Sequence, residues 1–123
     1  LFPTFLAMAG LPLQTGDHRD GVSLTSLLEG RGAPAARSLY WHNPAPRPSS
    51  TGDQFSSAIR HGDFKLVVFP EEQRTELYDL STDVGESKNL ATERPDEVKR
   101  LQAQLRDWQQ QVGAKSQPRV RAK

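Results

Sequence analysis

The chain has 123 residues, a formal net charge of +1, 35% hydrophobic and 25% charged residues, nine prolines and nine glycines. That size fits one domain or one part of a larger enzyme. No basic face argues for nucleic acid and no acidic run argues for a cation store. With no cysteine, disulfides, thiolate metal sites and a cysteine nucleophile are excluded. No apolar run approaches the ~20 residues of a membrane helix.

The start, LFPTFLAMAG, is apolar. Ala7-Met8-Ala9 imitates a small-residue cleavage site, but an initiating Met and a positive leader are absent and Pro3 interrupts the run. The expectation is a buried helix continued from a longer chain, with a cleaved leader ending near Gly10 as the competing reading. Thr4 to Ala9 read as the end of that helix, closed by Gly10 and Pro12. Leu13 to Asp20 is a polar loop. Ser23 to Glu29 reads as a second short helix with Leu24, Leu27 and Leu28 on one face and Gly30 after it. Gly32 to Ala36 is a connector.

The hydrophobic period then changes. Ser38 to His42 is short, aromatic and strand-like. Asn43 to Asp53, rich in proline and serine, is a loop, and a long loop inside a compact domain is often functional. Phe55 to Arg60 and Asp63 to Phe69 are strands joined by a two-residue turn at His61-Gly62. Pro70 to Gln73 is a polar turn, and Arg74 to Leu80 returns as a fourth strand. Ser81 to Leu90 is a polar loop. In the last element Pro95 suits a first helical position, with Asp96 and Glu97 at the positive end. Val98, Leu101, Leu105, Trp108 and Val112, spaced 3, 4, 3 and 4, form one apolar stripe. Gly113 ends the helix, and the basic residues that follow read as a disordered tail. The expected fold is α+β: a four-stranded antiparallel sheet with a long C-terminal amphipathic helix packed on one face. Residues 1–36 are set apart as the end of a preceding domain with its connector, 37–113 as sheet plus helix, and 114–123 as tail.

Chemistry-bearing patterns are few. No G-x-S-x-G elbow is present, and Ser23 reads as helix-start chemistry. His18, His42 and His61 are too scattered for a zinc helix. Asp17 and Asp20 read as turn formers. No phosphate loop is present. Glu71-Glu72 sits in a solvated hairpin tip. Three features stand out. Tyr40-Trp41-His42-Asn43-Pro44 ends a strand and opens the long loop. There Trp41 is suited to stack on a sugar and His42 to donate to an anionic or sugar ligand. The alternative is a half-buried aromatic strand with a satisfied histidine. Lys65, mid-strand, either pairs with a carboxylate or faces solvent. Asp83-Val84-Gly85-Glu86 with Asn89-Leu90 is loop chemistry that ends the sheet and leads to the helix.

Taken in order, these segments resemble the C-terminal part of a type I sulfatase, of the arylsulfatase and N-acetylgalactosamine-6-sulfatase-like branch. The resemblance runs through Leu1 to Leu13, Asp20-Gly21-Val22-Ser23-Leu24, Leu27-Leu28-Glu29-Gly30 and Tyr40-Trp41-His42. It continues through Ala58 to Leu66, Glu76 to Leu80, Asp83-Val84-Gly85-Glu86 and Asn89-Leu90-Ala91. It implies a small C-terminal subdomain completing a large α/β domain. It also implies a sulfuric ester hydrolase acting on aryl or carbohydrate sulfates through a formylglycine nucleophile and a calcium ion.

Neither C-x-P/A-x-R nor S-x-P-x-R, forms of the formylglycine signature, occurs in this chain, and the calcium ligands are expected upstream. The resemblance thus implies a chain that is inactive alone, binds no cofactor itself and lines one wall of the cleft. No catalytic or metal-binding residue is assigned to it. His42, beside Trp41, carries over as a substrate contact, and Lys65 as structural. The expected partners are the N-terminal sulfatase domain and a sulfated small molecule or glycan. The family suggests a periplasmic, secreted or lysosomal setting. The competing function is a stand-alone carbohydrate- or protein-interaction module built on Trp41, His42 and the proline-rich loop.

Overall fold

The computed structural model describes residues 1–17, 20–44 and 54–115. His18, Arg19, most of the proline-rich loop and most of the basic tail lie outside them. The chain divides between Ala36 and Arg37 into two compact units.

The first unit holds helices α1 (Phe2–Met8) and α2 (Thr25–Leu28). Pro3 lies in the first turn of α1, where its missing N–H costs nothing. The side chain of Thr4, almost fully buried, accepts the Leu24 N–H at 3.0 Å and ties the α2 entry to α1. Ser23 Oγ accepts the Thr25 N–H at 3.2 Å, the helix-start role expected of it. Phe2, Phe5, Met8, Leu11, Leu27 and Leu28 remain exposed.

The second unit holds the sheet and the long helix. Strands β1 (Leu39–Asn43), β2 (Ser56–His61), β3 (Phe64–Phe69) and β4 (Arg74–Asp79) form an antiparallel sheet in the order β1-β2-β3-β4. Every strand lies beside its sequence neighbour, as in a meander. The β2–β3 turn falls one residue later than the sequence suggests, because His61 pairs with Phe64 and leaves Gly62-Asp63 as the loop. Gly62 has φ +60°, the left-handed value required at the first central position of a type II′ hairpin turn, and Asp63 does not share it. Between β3 and β4, Pro70–Glu72 make a 3-10 turn, and Gln73 takes a left-handed conformation that starts the return strand.

Side chains alternate across the sheet. One face presents Tyr40 and His42, Ser57 and Ile59, Leu66 and Val68, and Leu77. Helix α3 (Pro95–Gln111) packs there. Ile59, Leu66, Leu77, Leu101 and Leu105 are the buried centre, with Tyr40, Phe64, Val68, Leu90, Ala91, Val98 and Trp108 around it. Burying one such aliphatic side chain stabilises by about 1.5–3 kcal/mol. Tyr40 and Trp108 stack with centroids 4.8 Å apart and planes 4° from parallel. The helical stripe stops one residue short of its sequence pattern: Val112 is exposed because it is already the C-cap. Gly113, at φ +62°, and Ala114 return their N–H groups to the carbonyls of Gln110 and Gln109, closing the helix.

The loop from Leu80 to Arg94 is fastened by side chains. Asp83 accepts the N–H groups of Ser87 and Lys88 and the Ser87 hydroxyl. Asn89 Oδ1 accepts the N–H of Leu77 at 3.0 Å and of Ala91 at 2.9 Å, while Leu90 N–H donates to the Leu77 carbonyl. The outer edge of β4 is therefore occupied by its own connection to α3.

Candidate functional site

The strand period separates the two residues singled out for substrate contact. Trp41 and His42 are consecutive in β1, so they project from opposite faces of the sheet. A small ligand lying on one face of the sheet meets one of them and not the other.

His42 lies on the helix face. Its ring meets Phe55 edge-on, with centroids 5.9 Å apart. Its Nδ1 lies 2.8 Å from Ser57 Oγ and its Nε2 3.2 Å from the carbonyl oxygen of Lys115. A carbonyl only accepts, so Nε2 carries the proton and Nδ1 accepts from the Ser57 hydroxyl. Ser57 Oγ in turn accepts from Gln109 Nε2 at 2.9 Å. The result is a directed chain, Gln109 to Ser57 to His42 to the Lys115 carbonyl, that joins the end of α3 to β1. Ser57 is nearly fully buried and engaged on both sides. It holds the histidine tautomer and is not placed as a nucleophile. Sequence reasoning missed Ser57 and Gln109. The available signal was that Gln109 follows Leu105 by four positions, on the face that packs.

Trp41 lies on the face without the helix. Its indole is 50% exposed and borders a shallow groove of about 480 Å³ whose other walls are Ala58, Arg60, Lys65, Val67, Leu80 and Glu86. Lys65 Nζ donates to both carboxylate oxygens of Glu86, at 2.6 and 2.8 Å. Of the two expectations for Lys65, pairing is what the structure shows. Its partner comes from the Leu80–Arg94 loop, where Glu86 adopts φ +53°, a left-handed conformation uncommon for a glutamate. Nearby, Arg74 bonds Glu72 and Glu76, and its guanidinium sits 3.7 Å above the centroid of the Phe69 ring. Tyr78 donates its hydroxyl to Glu76 at 3.0 Å. Burial first, then that bond, holds the Tyr78 hydroxyl above its ordinary pKa.

Elsewhere the charged groups serve the fold. Asp83 is held below the usual carboxylate range by the N–H groups of Lys88 and Ser87 and by the Ser87 hydroxyl, Asp79 by Ser81, and Glu97 by Arg100. Among the described residues no three His, Asp or Glu side chains converge. Among the described residues no helix is long and apolar enough to cross a membrane.

Against known proteins, the model of the family "N-sulphoglucosamine sulphohydrolase, C-terminal" matches residues 1–115. A "Sulfatase" from Formosa agariphila is 33% identical over 119 residues, covering 87% of this chain and 22% of that protein. The "Uncharacterized sulfatase YdeN" of Escherichia coli is 38% identical over 69 residues, 56% of this chain and 12% of its own length. Among solved structures, BT4656 in complex with its substrate D-glucosamine-2-N,6-O-disulfate superposes with a TM-score of 0.69 at 31% identity. That match covers 89% of this chain and 23% of the BT4656 chain. BT1596, described as a 2-O GAG sulfatase, shares the fold with a TM-score of 0.66 at 23% identity, over 97% of this chain and 27% of its own. The chain thus spans less than a quarter of the length of the Formosa relative and of BT4656. With a family model covering it from Leu1 to Lys115, and with the expected sheet and helix in place, this chain belongs to the N-sulphoglucosamine sulphohydrolase C-terminal family and is the C-terminal part of a sulfatase.

Proposed function

We propose that this chain completes an enzyme that hydrolyses sulfate esters of carbohydrates, forming one wall of its substrate cleft. The observation that carries the reading is the 31% identity and TM-score of 0.69 to a structure holding a sulfated glucosamine as substrate. The nucleophile and the calcium ion belong to the part of the enzyme this chain does not span, since it has no cysteine and its serine-type match to the signature, Ser56 to Arg60, is taken up by a sheet strand. When present, that machinery supplies the attacking oxygen and stabilises the charge on the transferred sulfuryl group. The role of this chain is positional. Within it, substrate contact falls to His42, whose Nε2–H sits at an exposed strand end on a single carbonyl acceptor. It exchanges the Lys115 carbonyl for a sugar hydroxyl or sulfate oxygen, while Ser57 keeps the ring oriented.

The test uses the full-length enzyme and glucosamine sulfates. His42→Ala is expected to raise KM by about tenfold, with kcat within about twofold, because a charge-assisted hydrogen bond contributes about 1.5–3 kcal/mol. An unchanged kcat/KM removes His42 from the substrate site. The 123-residue chain alone is expected to release no sulfate from an aryl sulfate, and measurable turnover by it would overturn the assignment of chemistry to the missing part.

A further inference from the structure

A packed helix-on-sheet contact leaves few voids larger than a water molecule. Between α3 and the sheet there is one of about 230 Å³. Val68 and Leu105 are part of its apolar lining. Its polar lining is Ser57 from β2 and Gln102, Arg106 and Gln109 from α3, which follow one another at one-turn spacing. The polar groups are only partly used. Gln102 donates its amide to Thr75 Oγ1 at 3.4 Å and Gln109 to Ser57 Oγ at 2.9 Å, and among the described residues neither amide oxygen receives a donor. Arg106 is exposed and has no ion pair or hydrogen bond among them. Positions 102, 103, 109 and 110, one turn away on either side, carry no carboxylate. Asp107 is outside the lining. Arg106 and Gln109 also border a second hollow of about 330 Å³ that runs along α3 to Gly113 and Ala114. Ala114 precedes the Lys115 carbonyl bonded by His42. The carbonyls of Trp108, Gln109 and Gln110 are already bonded by the N–H groups of Val112, Ala114 and Gly113, which leaves Arg106 the governing charge there.

We propose that this hollow is an outer subsite for one anionic sugar ring, filled when the sulfated glucosamine that meets His42 belongs to a longer glycan. The inference rests on the reading of the substrate given above and adds a second ring to it. Size, chemistry and position choose the occupant. The volume is below the ~300 Å³ at which pockets for drug-sized ligands begin, which suits a single ring. Two amide oxygens stand ready to accept sugar hydroxyls. The guanidinium of Arg106 offers two parallel donors to a carboxylate or a sulfate. Val68 and Leu105 suit the C–H face of a pyranose. Ser57 is a wall common to both places, since it lines the hollow and bonds His42 Nδ1 at 2.8 Å.

The test uses the full-length enzyme with D-glucosamine-2-N,6-O-disulfate alone and joined through C1 to glucose, to glucuronic acid or to glucose 3-sulfate. Loss of sulfate from the glucosamine unit is followed by chromatography. In the parent enzyme KM for an anionic disaccharide is expected to be about tenfold below that for the glucose-linked one. The tighter of the two anionic disaccharides identifies whether carboxylate or sulfate meets Arg106. Arg106→Gln should abolish that preference, and Arg106→Lys should keep most of it, which separates charge from packing. For the monosaccharide, KM and kcat should stay within about twofold in both variants. Gln102→Met should raise KM about threefold for all three disaccharides through loss of a neutral hydrogen bond. Equal KM values for the three disaccharides in the parent overturn the proposal. So does an Arg106→Gln enzyme in which monosaccharide and disaccharides weaken alike. Calorimetric titration of the glucuronic-acid disaccharide keeps the two readings apart. Binding lost in Arg106→Gln, in an enzyme that releases no sulfate, refutes the sulfatase reading alone. Turnover with no preference for the anionic disaccharides refutes the subsite alone.

Discussion

Asn89 offers the most discriminating test of how the sheet is held. Its Oδ1 accepts from the amides of Leu77 and Ala91, and Leu77 is fully buried. Asn89→Ala removes two hydrogen bonds of about 0.5–1.5 kcal/mol each and leaves the Leu77 N–H with no acceptor and little water. The unsatisfied donor adds about 1–3 kcal/mol if nothing moves to meet it, so a loss of about 2–6 kcal/mol is expected. Asn89→Asp keeps the acceptor and gives up only the Nδ2 bond to the Thr75 carbonyl at 3.4 Å. It should cost under about 1 kcal/mol. The assay is urea unfolding followed by circular dichroism, with hydrogen exchange at the Leu77 amide as the local readout. If both variants unfold within about 0.5 kcal/mol of the parent, or if Leu77 exchange is unchanged in Asn89→Ala, the loop does not hold the β4 edge.

Three further outcomes follow from the same structure. Leu101→Ala, at a fully buried position, should destabilise by about 2–5 kcal/mol in urea titration, whereas Val112→Ala, already exposed, should stay within about 0.5 kcal/mol. Gly62→Ala should cost about 1 kcal/mol or more, because an L side chain at φ +60° strains the hairpin; a thermal melt measures it. Asp83, Asp79 and Glu97 all titrate below their ordinary values of 3.8, 3.8 and 4.5. A depressed folded pKa means the unfolded chain binds protons first. Their stabilisation is therefore complete above those values and lost as pH falls through the lower folded ones. Melting temperature followed from pH 7 downward should hold nearly level to about pH 5 and then fall, and Asp83→Asn should flatten part of that decline.

Where the chain repeats a period, its sequence is readable. The stripe Val98–Leu101–Leu105–Trp108 places α3 and its packed face, because a helix 17 residues long presents several turns to one surface. All four strands are bounded to within a residue for a similar reason: β-branched and aromatic residues alternate between turn formers. The candidate site is legible only in part. Trp41 and His42 stand out as unusual, yet their adjacency in a strand already sends them to opposite faces, a consequence that the motif by itself hides. Partners distant in sequence are not readable at all. Nothing local in Glu86 points to Lys65, 21 residues earlier, and nothing in Ser57 points to Gln109, 52 residues later. Such pairs exist only once the hairpins have set which residues face each other.

The order of elements along the chain has a consequence for synthesis. All four strands precede α3, and each pairs only with its neighbour in sequence. During translation the sheet can therefore assemble hairpin by hairpin from local contacts. Its lining of Ile59, Leu66 and Leu77 stays bare until Leu101, Leu105 and Trp108 have emerged. A nascent chain halted between Asp79 and Pro95 would present that apolar surface to any chaperone or neighbouring chain, so the last helix decides whether the finished sheet is a core or an aggregation site.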